Sequence, residues 1–101
     1  MKAHNVIDLR ELQLVINRLL NHIIEEKRIA KVELVKDYYW NIPTSELYAV
    51  ASDPKHLDVG SLFDDWGFVR GLTNQGETPV AMQLAEVAPI LRYIGNVVGE
   101  A

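Results

Sequence analysis

From Asp8 to Arg28 (DLRELQLVINRLLNHIIEEKR) apolar residues recur at 9, 12, 15, 16, 19, 20, 23 and 24. Steps of three and four draw one broad stripe on a helix, so the pattern predicts an amphipathic helix over this stretch. Asp8 is placed to accept from the first-turn amides, and Glu11, three residues on, to bond back to it as in a capping box. Lys27 and Arg28 suit the negative end of the helix dipole. The run is too short to sustain heptads, so the stripe reads as a core face rather than a coiled-coil seam.

The period then changes from 3.6 to 2. Val32, Leu34, Lys36, Tyr38, Trp40 and Ile42 share one side of an extended chain; Glu33, Val35, Asp37, Tyr39 and Asn41 share the other. Alternation among β-branched and aromatic residues predicts a strand, with Tyr38 and Trp40 turned inward onto the first helix and Tyr39 on the wetter side. Its length exceeds an ordinary strand, which predicts a bend or bulge within it. Pro43 lacks an amide hydrogen and ends the pairing.

Pro43–Glu46 reads as a turn, Leu47–Ala51 as a second strand with a helical turn capped by Thr44 or Ser45 as its competitor, and Leu57–Val59 as a third short strand. Ser61, with Asp64 and Asp65 behind it, predicts a helix from Leu62 to about Leu72, with Leu62, Phe63, Trp66, Val69 and Arg70 at helical spacing. After a loop at 74–77, Thr78 and Pro79 read as the start of a last helix carrying Val80, Leu84, Val87, Ala88, Leu91, Ile94, Val97 and Val98. Pro89 is expected to kink or break it near Ala85. The expected fold is α+β: an N-terminal amphipathic helix, a small antiparallel sheet of two or three strands and two C-terminal helices, in one domain over residues 1–101. A nearly all-α chain with one hairpin is the competing architecture.

Composition narrows the chemistry. The chain has 101 residues and no cysteine, which removes disulfides, thiolate metal sites and thiol catalysis and suits a reducing cytoplasm. Neither a signal-peptide core nor a membrane-length apolar run is present, because Glu86, Pro89 and Arg92 interrupt the most hydrophobic segment. Residues 1–40 carry seven Lys/Arg against six Asp/Glu, while residues 41–101 carry three against eight. Such an acidic second half repels phosphate backbones, which argues against nucleic-acid binding, and it suits a basic protein partner. Acidity also serves solubility alone.

No spacing assigns a reaction. No serine lies in a G-x-S-x-G elbow, and no G-K-[ST] follows a glycine. His22 with Glu25 and Glu26 has metal-ligand spacing, but on a polar helix face it reads as ordinary i, i+4 neighbours. Asp53, His56 and Asp58 match no calcium loop. Asp64 and Asp65 read first as residues the helix dipole favours, although paired carboxylates act as acid and base when burial separates them. Trp66 reads as core or as a cover over Tyr48.

Two functional expectations follow. In the first, the chain is an interaction module, inhibitor- or immunity-like, that binds a basic protein without cofactor or metal. Tyr39, Tyr48 and Trp66 are its anchors, and Asp64 and Asp65 belong to the acidic surface that steers the partner. Self-association through an unpaired strand edge, giving a homodimer, is its variant. In the second, a small enzyme or ligand-binding domain gathers Asp37, Tyr39, Asp64 or Asp65 around a pocket.

Overall fold

The computed structural model describes residues 5–74 and 76–99. Its contacts divide the chain into a first unit ending at Val32 and a second beginning at Glu33.

In the first unit, α1 spans Leu9–Asn21 and continues through a wider π-type turn at His22–Glu26. Asp8 caps it as expected, its Oδ1 accepting from the amides of Arg10 at 2.9 Å and Glu11 at 3.2 Å. The far end closes by a different device. The Lys27 amide reaches back to the His22 carbonyl and the Ile29 amide to that of Ile23. This is a Schellman-like stop one residue wider than usual, matching the π-type turn before it. It turns the chain at Arg28, whose φ of 60° lies in the left-handed region. Ile23 and Ile29, joined by that bond, are both half-buried. No residue of α1 itself is buried.

The second unit holds a two-stranded antiparallel sheet and the C-terminal helices. β1 is Tyr38–Asn41 and β2 is Asp58–Ser61, paired Tyr38 to Ser61, Tyr39 to Gly60, Trp40 to Val59 and Asn41 to Asp58. Between them a short helix, α2, covers Thr44–Leu47. The strand expected at Leu47–Ala51 is absent, and the helical turn that forms instead lies earlier, over Thr44–Leu47, with Pro43 rather than Thr44 or Ser45 at its N-cap. The Pro43 carbonyl accepts from the amides of Glu46 and Leu47, bonds that commit this stretch to a helical turn before any strand can pair. Ser61 ends β2 and caps α3, Leu62–Val69, its Oγ accepting from the Asp64 amide at 3.2 Å. Arg70–Thr73 tightens into a 3₁₀ turn.

α4 begins at Met82, not at Thr78–Pro79, and runs to Gly99 with Pro89 inside it and no break. Its start is fixed by Gln83, whose Oε1 accepts from the Val80 amide at 2.9 Å while its own amide donates to the Val80 carbonyl. The core is small: Leu62 and Val69 of α3 meet Ile90 of α4, with Leu34, Tyr39, Val87, Tyr93 and Ile94 packed around them. Tyr93 also fastens the extended segment before β1, donating to the Glu33 carbonyl at 2.9 Å and accepting from the Val35 amide at 3.0 Å. These bonds satisfy backbone groups that have no strand neighbour there.

The alternation seen in the sequence is real, but its phase is the reverse of the expected one. Tyr38 is 73% and Trp40 75% exposed, and Tyr39 is the residue that turns toward the core. Apolarity alone favours burying Tyr38 and Trp40. The register decides otherwise, because it sets Tyr39 opposite a glycine and leaves Trp40 opposite Val59 on the outer face. Trp66 is likewise not core: the buried face of α3 is Leu62, Asp65 and Val69, and Trp66 is 46% exposed.

Candidate functional site

The most ordered polar arrangement of the second unit lies where β1, β2 and the start of α3 meet. Asp37 ties them together. Its Oδ1 accepts from the Ser61 hydroxyl at 2.7 Å and from the Phe63 amide at 2.9 Å, and its carbonyl accepts from the Leu62 amide at 2.7 Å. A carboxylate at a helix N-terminus satisfies orphan amides and opposes the positive end of the dipole. The result sets the rotation of α3, which turns Asp65 inward and leaves Asp64 in solvent.

Asp65 is only 6% exposed. The Tyr39 hydroxyl donates to its Oδ2 at 2.6 Å. Burial, followed by the bond to Asp65 and the charges of Asp65 and Glu86, holds the Tyr39 phenol well above the ordinary range. The Glu86 carboxyl is pushed up to about 7, first by the bond to Asp65, then by burial and by the Asp65 charge. Two neighbouring carboxyl groups cannot both ionise cheaply, which is why the Glu86 carboxyl lies above its ordinary range. Gly60 makes room for this cluster. A Cβ on it would sit 2.2 Å from the Tyr39 ring, so any side chain there displaces the tyrosine.

Of the residues singled out by sequence, Tyr39 and Asp65 are brought together and the other three are not. Tyr48 is 79% exposed after α2, Asp64 is exposed at the first turn of α3, and Trp66 lies on the outer side of α3 beneath the Arg70 guanidinium, 5.9 Å from the ring centroid. In the sequence Glu86 stands out only as an interruption of the most hydrophobic segment. Its signal is position: α4 buries Gln83 and Ile90, and Glu86 lies between them on the same stripe, four residues before Ile90. A carboxyl group on an apolar stripe is costly to ionise, in keeping with the raised Glu86 carboxyl.

A second polar cluster closes the loop between α2 and β2. Glu46 accepts from the backbone amides of Lys55 and His56 and pairs with the His56 ring at Nδ1. The bonds from His56 and Lys55 lower the Glu46 carboxyl below its usual range, and the bond to Glu46, with its charge, raises the His56 imidazole above its own. Turn geometry accounts for this cluster in full, as the Asp53-Pro54 sequence suggests.

Open, shallow grooves lie along α1, about 580 Å³ lined by Leu9, Leu12 and Ile16 among others, and beside Asp53 and Lys55, about 250 Å³. Neither is lined by Tyr39, Asp64 or Asp65, so the pocket expected around those residues is not one of these two. Among the described residues no group of three or more His, Asp or Glu could hold a metal ion, and no helix is long and apolar enough to cross a membrane. No family model matches the chain, nor does any curated protein or solved structure.

Proposed function

We propose that the chain is an interaction module that binds a basic protein partner in the cytoplasm. The observation that carries the reading is the outer face of the hairpin, where Tyr38 and Trp40 are about three-quarters exposed beside Val59. Large aromatic side chains turned to water on a paired, rigid backbone are what protein-binding hot spots are made of. They replace Tyr39 as the anchors; Tyr48 and Trp66 remain available as flanking contacts. The surroundings are acidic. From Glu33 onward the chain carries four Lys/Arg against ten Asp/Glu, which favours approach of a cationic surface. Self-association is the second reading, favoured by the outer edges of β1 and β2, neither of which pairs within a sheet of two strands.

The test is capture from the native host with the wild-type chain and a Tyr38→Ala/Trp40→Ala double variant, at low and high salt. A basic protein held by the wild type at low salt, released at high salt and not held by the variant supports the reading. A partner held equally by both chains, or none, counts against it. Sedimentation of the purified chain decides the second reading: a monomer at all concentrations removes it.

A further inference from the structure

The extended segment from Glu33 to Asn41 has two edges, and different elements combine to satisfy one of them. Tyr93 bonds the Glu33 carbonyl and the Val35 amide, the Leu62 amide reaches the Asp37 carbonyl at 2.7 Å, and β2 pairs with Tyr39 and Asn41. Every second residue is used, as the alternation of an extended chain requires. The Leu62 bond fixes the phase. Asp37, Tyr39 and Asn41 turn their backbone groups toward β2, so those of Lys36, Tyr38 and Trp40 point away from it. Among the described residues nothing pairs with the backbone of these three on the outer side.

We propose that this outer edge is a docking line for an extended segment of a basic protein, which adds to β1 as a further strand. The mode rests on the reading of the chain as a module for a basic partner, and it names how that partner is held. An open strand edge binds through main-chain hydrogen bonds, and the side chains along it select the segment. From Lys36 to Trp40 the edge offers the amide and carbonyl of every second residue over roughly 16 Å. Tyr38 and Trp40 stand beside it on the outer face, each about three-quarters exposed. The outer edge of β2 offers less: it runs directly into α3, and Ser61 already serves as the N-cap of that helix.

Charge decides the occupant. From Glu33 onward the chain carries four Lys/Arg against ten Asp/Glu. Glu33 and Asp37 lie in the segment itself against Lys36 alone, and Asp58 stands opposite Asn41 at its far end. A second copy brought edge to edge adds like charge to this surface. A segment with lysine or arginine toward its ends and an apolar residue beside Tyr38 and Trp40 gains from both features.

The test is NMR titration of the 101-residue chain with a blocked peptide of alternating lysine and valine, and with its glutamate-for-lysine counterpart. Both are about nine residues long, enough to span the edge. The wild type is expected to bind the lysine peptide, and to bind the glutamate peptide at least about tenfold more weakly. Tyr38→Ala removes the side chain alone, while Tyr38→Pro also removes an outward amide hydrogen and spares the ladder to β2. Tyr38→Pro is expected to bind the lysine peptide about three- to tenfold more weakly than Tyr38→Ala, the loss of one strand hydrogen bond. Equal affinity of the two variants overturns the docking line and leaves the basic partner held by side chains alone. No binding by the wild type, or equal binding of both peptides, also overturns it. So does slowed exchange of the Tyr38 and Trp40 amides that grows with protein concentration before peptide is added, because a second copy then occupies the edge. Should Tyr38→Pro not fold, exchange of those two amides is followed in the dilute wild type at saturating lysine peptide: slowing upholds the docking line and unchanged exchange overturns it. Whether a basic protein is bound at all is decided separately by the salt-dependent capture described above, so the two failures are told apart.

Discussion

The two units share the same kind of sequence and differ in what they do with it. α1 has the clearest amphipathic pattern in the chain, yet it buries no residue, and Leu9, Val15 and Leu19 are each more than half exposed. α3 has a much weaker pattern, two glycines at or near it and a charged residue on its inner face, yet it buries Leu62, Asp65 and Val69. The charge differs too: six Lys/Arg against four Asp/Glu up to Val32, then the acidic remainder. The lesson is that periodicity fixes which residues share a face, whereas burial depends on what the tertiary structure places opposite that face. For α3 the opposing surface is α4 and Tyr39; within the first unit nothing of comparable size faces α1.

The sharpest way to break this comparison is to truncate one leucine in each helix. Leu62→Ala removes a side chain that is 4% exposed from a core of three buried residues. It is expected to cost about 2–4 kcal/mol in chemical unfolding. Leu12→Ala, at a position 43% exposed, is expected to cost under about 1 kcal/mol. Equal losses would mean that α1 is as well packed as α3. Next in size is Gly60→Ala. The added methyl meets the Tyr39 ring, and moving the ring breaks its bond to buried Asp65, a loss of about 1–3 kcal/mol in the same assay. A neutral result would show that Tyr39 is free to leave its place. The smallest effect belongs to the first unit and has the opposite sign. Arg28→Gly relieves a left-handed residue, and it is expected to raise helix content and stabilise by about 0.5–1 kcal/mol.

Much of this was legible in the sequence, and the failures around β1 and Asp65 share one cause, whereas those at Leu47–Ala51 and at the start of α4 come from local bonds of Pro43 and Gln83. The Asp8 and Ser61 caps, the α1 stripe, the start of α3 and the α+β order follow from neighbours within a few residues, and all are present. What depends on distant partners was not. The faces of β1 were correctly separated, but Gly60 and Asp65, more than twenty residues on, determine which one turns inward. Asp65 was noted as half of an adjacent pair with Asp64. Its bonded partner is Tyr39, on β1, which no local spacing reveals. Pro89 was given too much weight: α4 tolerates the missing amide bond in mid-helix because Ile90, Tyr93 and Ile94 hold that turn against the core.

Amide hydrogen exchange on the dilute 101-residue chain tests the contrast between the units most directly. Amides near Val69 in α3 and from Ile90 to Ile94 in α4 are expected to be the slowest, exchanging by opening of the core, while those from Leu12 to Leu19 exchange orders of magnitude faster, by local fraying. Protection in α1 equal to that in α3 and α4, under conditions where the chain is a monomer, would contradict the account.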